Sequence, residues 1–260
     1  MDIIVCIKQV PNTVNIQIDH ETGRLKRDGV ESILNPFDEY AVEEGVRIKE
    51  KTGGKVTVVT MGPAQAESVL REAISKGADE GILVSDKAFG GADTLATSYA
   101  LSMALKHIGK FDLVICGKQA SDGDTAQVGP GLAEMLDIPH VAYVKKTEAA
   151  DGRIKVERVM EDGCDVIESN FPVLITVVKG INNPRIASLK GKIAAKRAVI
   201  KVLDAAAIGA DAKKIGLTGS PTQVMKTFEP PQRTGGEKFT GSAEEVAAAV
   251  VKKLSDLGIV

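Results

Sequence analysis

The stretch FDLVICGKQASDGDTAQVGPGLAEML, from Phe111 to Leu136, constrains the fold more than any other part of the chain. An apolar run from Leu113 to Cys116 breaks at Gly117. A polar loop rich in Asp, Gly and Ser follows, and apolar residues then return at helical spacing. A strand, a loop and a helix from Thr125 to Leu136 in that order predict an α/β unit. Small residues at Ala120, Ser121, Gly123 and Ala126 leave room for a ligand beside the backbone. The free N–H groups and positive dipole end of the helix suit a phosphate or pyrophosphate. Neither GxGxxG nor GxxxxGK followed by Ser or Thr occurs, so this is neither a standard dinucleotide fingerprint nor a P-loop. The competing reading is a plain connection whose Asp and Thr only cap the helix.

The rest of the first half repeats the alternation. Asp2 to Ile7 reads as a buried strand, and Phe37 to Thr52 as an amphipathic helix opened by Asn35-Pro36. A strand from Lys55 to Met61 ends at Gly62-Pro63, and a helix from Ala64 to Lys76 stops at Gly77. A short strand, Gly81 to Val84, precedes a long helix, Asp93 to Ile108, and the strand Phe111 to Cys116. The segment QIDHETGRLKRDG reads as a hairpin turning at Glu21-Thr22-Gly23. This order predicts a mainly parallel sheet with helices on both faces.

In such a sheet a ligand lies in the crevice beyond the carboxyl ends of the strands. Three loops fall there: Cys6-Ile7-Lys8-Gln9, Met61-Gly62-Pro63, and the loop from Gly117 to Gly129, which holds Asp122, Gly123, Asp124, Thr125, Ala126, Gln127 and Val128. FGGADTLAT, with Asp93, Thr94 and Thr97, is a fourth, again small and glycine-rich at a helix start. Asn35 opens its helix and could turn its amide toward a base or ribose. Asn35 and Asp93 each fit a plain N-cap as well. Four such features on one sheet edge point to a nucleotide site.

The second half changes character. Val141 to Lys146, Ile154 to Met160 and Cys164 to Ser169 alternate as antiparallel strands, with Asp151-Gly152 and Asp162-Gly163 as turns. Phe171 to Val178 is another buried strand. KGINNPRIASLKGKIAAKRAVI, residues 179–200, is basic through Lys179, Arg185, Lys190, Lys192, Lys196 and Arg197. It reads either as a solvated helix with a charged face or as a docking segment that places Leu189 in a partner's pocket. GSPTQVMKTFEPPQRTGGEKF cannot form a regular core element. A last helix, Ser242 to Leu257, carries a capping-box pattern in Ser242 and Glu245. The chain thus divides into an α/β domain, residues 1–220, and an arm with a terminal helix, residues 221–260. Ordering such an arm costs entropy unless it lies against something, such as another subunit.

Composition excludes several functions. The 260 residues carry a net charge of −2, which gives no electrostatic case for nucleic acid. There is no Trp and aromatic content is 3%, so base-stacking platforms are lacking. No apolar run reaches the roughly 20 residues of a membrane span. MDIIVCIKQV has no basic start or cleavage site and enters a strand at once, so a cytoplasmic protein is expected. Cys6, Cys116 and Cys164 have no metal spacing, and His20, His107 and His140 share none, which leaves a metal site or a Ser-His-Asp triad unsupported.

VCIKQVP, LNPFDEYAVEEGVRIKE, TMGPAQAESVLREAISKGAD, CGKQASDGDTAQVG, NNPRIASLKGKIAAKR and EPPQRTGG, in this order along nearly the whole chain, resemble the beta (small) subunit family of electron transfer flavoprotein. The resemblance implies a Rossmann-like, adenine-nucleotide-binding α/β fold and a heterodimer with an alpha subunit that holds a redox-active FAD. It implies that the C-terminal arm wraps that partner. By position, Cys6, Asn35, Met61, Asp124, Thr125, Gln127, Val128 and Gly129 match the family's nucleotide contacts. The segment ending in Lys196-Arg197 matches the loop that anchors acyl-CoA dehydrogenases, with Leu189 as the anchoring leucine.

Two branches of the family differ in this site. Ordinary carriers hold structural AMP, while electron-bifurcating members hold a second FAD that accepts a hydride from NADH. In the bifurcating branch one electron goes to ferredoxin or flavodoxin. The other goes through the alpha-subunit FAD to an acyl-CoA or hydroxy-acid dehydrogenase. DGDTAQVG, with Gly123 and Ala126 where the AMP-type loop carries larger side chains, resembles the bifurcating branch. So does FGGADTLAT, which would set Asp93, Thr94 and Thr97 near a flavin. FAD is therefore expected, with AMP as the alternative. Two further readings remain open: a free-standing nucleotide sensor, and an ATP-using enzyme with Asp122 and Asp124 as metal ligands. No side chain stands out as acid, base or nucleophile.

Overall fold

A computed structural model describes residues 1–12, 17–18, 25–26, 31–150, 152–226 and 235–260. The chain begins with strand β1 (Asp2–Cys6), the short strands β2 (Gln9–Pro11), β3 (Gln17–Ile18), β4 (Leu25–Lys26) and β5 (Ser32–Leu34), and helix α1 (Pro36–Thr52). Then come β6 (Lys55–Met61), α2 (Glu67–Ser75), β7 (Glu80–Val84), α3 (Thr94–Ile108), β8 (Leu113–Gly117) and α4 (Val128–Leu136). The second half holds β9 (His140–Ala150), β10 (Arg153–Val159), β11 (Cys164–Asn170), β12 (Val173–Val177), α5 (Leu189–Arg197), β13 (Lys201–Leu203) and α6 (Ala243–Asp256).

Nine strands form one sheet in the order β11-β10-β9-β12-β8-β1-β6-β7-β13. From β9 to β13 every neighbouring pair is parallel. The pairs β9–β10 and β10–β11 are antiparallel and extend one edge. The central strands are continuous Val/Ile/Leu runs because both faces are covered. Ile3, Val5 and Ile115 pack with Val42 and Val46 of α1 and Leu70 of α2 on one face. Ile4, Val59 and Val114 pack with Ala104 and Leu105 of α3 and Leu132 of α4 on the other. The expected α/β architecture, with helices on both faces and an added antiparallel portion, is the one observed.

Several elements differ locally from the expected ones. The helix expected from Thr125 begins at Val128, because Asp124 (φ 51°) and Ala126 (φ 53°) adopt the left-handed region, which cannot continue a right-handed helix. Residues 179–200 are helical only over α5. β13 follows α5 and pairs with β7, a non-local contact that three residues of local pattern do not announce. The strand Val141 to Lys146 extends as β9 and joins β12 in parallel before turning antiparallel into β10. β3 and β4 pair antiparallel, while the turn at Glu21-Thr22-Gly23 and Asp151 lie outside the described residues. The Asp162-Gly163 turn is closed by Met160 N–H donating to Gly163 O at 3.0 Å.

Contacts divide the chain into two units, Met1–Lys226 and Thr227–Val260. In the second, α6 carries the expected capping box: Ser242 Oγ accepts from Glu245 N, and Glu245 accepts from Ser242 N. None of its residues is buried. No helix among the described residues is long and apolar enough to cross a membrane.

Candidate nucleotide cleft and docking segment

A cleft of about 610 Å³ opens at the carboxyl ends of β1, β6 and β8, a size usual for small-molecule sites. Its floor comes from strand ends: Cys6, Met61, Cys116 and Gly117. Lys8 and Asn35 stand on one side. The start of α3 supplies Asp93, Thr94 and Thr97, and the loop into α4 supplies Gly123, Thr125, Ala126, Gln127, Val128 and Gly129. The structure thus brings together residues far apart in sequence that share one sheet edge. Three predicted residues stand back from this wall. Gly62 follows β6 and donates its N–H to Val84 O, Asp122 forms an ion pair with Lys8 at 2.7 Å, and the Asp124 carboxylate accepts from Gln119 Nε2.

The loop is held from inside the protein. Asn35, 1% exposed, donates its amide to Gln119 O (2.9 Å) and accepts from Ser121 N (3.1 Å). Its side chain neither caps α1 nor is free for a base or ribose. Asp93 does cap α3, accepting from Leu95 N and Ala96 N. Its second oxygen accepts from Thr222 N (3.0 Å) and Thr222 Oγ1 (2.8 Å), which sets Thr222 and Val224 on the cleft wall. Gly117 and Gly129 are glycines for packing. A Cβ at Gly117 would strike Asp38 Oδ1 and lie 2.8 Å from the Phe37 carbonyl carbon, and one at Gly129 would lie 2.5 Å from Thr176 Cγ2. A Cβ at Gly123 would face open space, so packing does not require glycine there.

Sequence reasoning missed the cleft's buried titratable group, Asp38. It lies in the first turn of α1, where nothing in NPFDEY distinguishes it from a helix-opening acid. Burial pushes its carboxyl up to about 7, against hydrogen bonds from Asn35 and from the backbone of Lys8 and Gly117, and against the charge of Lys8. Cys6 and Cys116 are register partners on adjacent strands. The hydrogen bond between them, together with burial, raises the Cys116 thiol well above its usual value, so it is an inert neutral wall. Thr222 and Val224 were also unforeseen, since no local pattern ties them to a loop a hundred residues earlier.

The arrangement can bind an anion-bearing, partly apolar ligand. The first-turn N–H groups of α4 have no intrahelical acceptors. Lys8 supplies charge, and Cys6, Met61 and Leu101 supply an apolar floor. Among the described residues no group of three or more His, Cys, Asp and Glu could hold a metal ion.

A family model described as an electron transfer flavoprotein domain matches residues 22–208. The chain is 49% identical over 261 residues to the electron transfer flavoprotein subunit beta of Thermoanaerobacterium thermosaccharolyticum, covering 100% of each. The chain belongs to the electron transfer flavoprotein family. It is also 48% identical to subunit CarD of the caffeyl-CoA reductase-Etf complex of Acetobacterium woodii (100% of each chain). With protein FixA of Azotobacter vinelandii it shares 45% identity, over 98% of this chain and 94% of that one. These matches place it among the beta subunits, with an electron-transfer role and an alpha-subunit partner. Electron transfer flavoproteins hold flavin or AMP.

The second region of interest in this electron transfer flavoprotein subunit is the basic segment. Ser188 caps α5 by accepting from Gly191 N, and Ala195 packs the helix onto the body. Leu189, Lys196 and Arg197 are exposed. Arg185 is engaged: it bonds Glu43 and Glu50 of α1, which pushes its pKa up through Glu50 first and Glu43 second.

Proposed function

We propose that the cleft holds FAD and that this beta subunit serves flavin-based electron bifurcation in the cytoplasm. The observation that carries this reading is the breadth of the cleft, which spans both the Gly117–Gly129 loop and the Asp93-Thr94-Thr97 helix start. A mononucleotide at the α4 N-terminus would leave the α3 side unfilled, whereas a dinucleotide flavin occupies both. When bound, that flavin supplies hydride acceptance from NADH and one-electron transfer to ferredoxin or flavodoxin and to the alpha-subunit FAD.

The chain's own residues bind and orient. Backbone N–H groups from Thr125 to Gly129 hold the phosphates, and the Thr125 and Gln127 side chains serve the ribose and phosphates. Lys8 offsets phosphate charge, in competition with Asp122. The floor at Cys6, Met61 and Leu101 excludes water. Leu189 at the start of α5, with Lys196 and Arg197 at its end, docks an acyl-CoA or hydroxy-acid dehydrogenase. CarD, named for a caffeyl-CoA reductase complex, supports a partner acting on a CoA thioester. Residues 221–260 pack on the alpha subunit.

Acid release and chromatography of the purified heterodimer test the reading. Two FAD and no AMP per heterodimer are expected. One FAD and one AMP would overturn it and leave a non-bifurcating carrier with structural AMP, shuttling electrons from acyl-CoA dehydrogenase.

A further inference from the structure

Helix α1 carries three carboxylates toward the segment that precedes α5. Glu43 and Glu44 are buried, and Glu50 lies at the rim. Arg185 donates from its backbone N (3.1 Å) and Nε (2.8 Å) to Glu43 Oε2, and from Nη2 to Glu43 Oε1 (3.2 Å). It also donates from Nη1 to Glu50 Oε1 (2.6 Å) and from Nη2 to Glu50 Oε2 (3.0 Å). Three residues earlier, Asn182 Nδ2 donates to Glu44 Oε2 (2.8 Å) and Tyr40 O (3.1 Å). The guanidinium has five N–H donors, and these bonds leave it little to offer a partner. Immediately beyond this clamp, Ile186 and Leu189 stand 92% and 77% exposed. Ile186 stands on the loop and Leu189 at the first position of α5, so their direction depends on how the chain enters that helix.

We propose that Arg185 is a positioning residue: clamped by Glu43 and Glu50, it fixes how Ile186 and Leu189 leave the body, and it promotes docking through them without touching the partner. The inference rests on the reading of Leu189 as the docking side chain for an acyl-CoA dehydrogenase. The clamp and the cleft share one helix, since the first turn of α1 carries Asp38 and its cap position is Asn35. The docking tip is therefore set by the element that also borders the nucleotide.

Two measurements on the heterodimer test this. The first is the mobility of a nitroxide at position 187, introduced as Ala187→Cys in a Cys164→Ser background, Cys6 and Cys116 being buried. Arg185→Ala should loosen the label, and Leu189→Ala should not. Arg185→Ala leaves Glu43 buried beside a more distant Arg47, so Glu50→Gln provides a milder variant that keeps the fold. The second is electron transfer to a short-chain acyl-CoA dehydrogenase. Arg185→Ala should raise KM about tenfold, more than it lowers kcat, and Arg185→Ala/Leu189→Ala should be no worse than Leu189→Ala alone. A label that stays immobile in both Arg185→Ala and Glu50→Gln overturns the clamp. Multiplying effects in the double variant would mean that Arg185 contacts the partner, which also overturns it. An unchanged KM for Leu189→Ala would instead sink the docking reading, while the label still decides the clamp.

Discussion

The loop from Gly117 to Gly129 and the segment from Asn182 to Leu189 both connect regular elements, yet they are built in opposite senses. In the loop from Gly117 to Gly129, backbone and side chains bond inward to Asn35, Ala120 and Gln119, and small residues such as Gly123 and Ala126 share the cleft wall with Thr125 and Gln127. In the segment from Asn182 to Leu189, polar side chains turn inward to buried glutamates, and the apolar ones face water. An inward-facing apolar residue stabilises the fold, whereas an outward-facing one adds nothing to it. The loop is therefore tied to the stability of the sheet, and the exposed tip of the segment is not. Under the function proposed above, that separation would let the molecule hold a ligand firmly and still offer an apolar contact to a partner.

The largest effect should come from Gly117→Ala. The added methyl meets Asp38 Oδ1 and the Phe37 backbone, neither of which is a flexible tip, so β8 and α1 must separate. Overpacking of this kind should cost about 3 kcal/mol or more and lower nucleotide content together with it. Leu189→Ala, in contrast, should shift stability by less than ~0.5 kcal/mol. Denaturant unfolding of both variants reads the difference. A large loss for Leu189→Ala, or none for Gly117→Ala, would break the contrast between the two regions.

A middle-sized effect is expected from pH, and only on the cleft side. The Asp38 carboxyl is raised in the folded protein from 3.8 to about 7, so the native state holds a proton that the unfolded chain has released. The resulting stability is fully present below about pH 3.8 and is lost as pH rises through about 7. Unfolding free energy should therefore fall between about pH 4 and about pH 7 and level off above, and Asp38→Asn should flatten that slope whatever its absolute stability. Cys116, pushed well above its usual value by Cys6 and burial, stays neutral across this window. A slope that survives in Asp38→Asn would assign the effect elsewhere.

Much of this architecture was legible in the sequence because the signals were local. Val/Ile runs, Asn35-Pro36, Gly77 and the break at Gly117 each mark a boundary within a few residues. The loops at one sheet edge could be gathered before any coordinate, since parallel topology alone puts the carboxyl ends of the strands together. What stayed hidden depends on partners distant in sequence. Asn35 looks like a cap, but Gln119 O and Ser121 N claim its amide across more than eighty residues. Arg185 looks like one more basic residue in a charged run, but its destination is Glu43 and Glu50 on α1. A pattern of charge shows that a pair can form and not which pair does.

The smallest effect, and the one that most sharpens the picture of the loop, concerns Asp124. Its carboxylate does not line the cleft but ties Gln119, which does. Its φ of 51° is a conformation that Asp and Asn tolerate and Ala resists. Asp124→Ala should therefore weaken nucleotide retention by only about threefold and cost less than about 1 kcal/mol of stability. Two companions separate the causes. Asp124→Gly removes the tie while freeing the backbone, and Asp124→Asn keeps both an acceptor for Gln119 and tolerance of the left-handed region. Retention lost equally in the Gly and Ala variants and kept in the Asn variant would locate the effect in the tie. Loss in the Ala variant alone would locate it in backbone strain, and the loop would then be held by conformation more than by its internal bonds. A loss of tenfold or more in Asp124→Asn, measured as nucleotide remaining after desalting, would put the charged carboxylate in direct contact with the ligand.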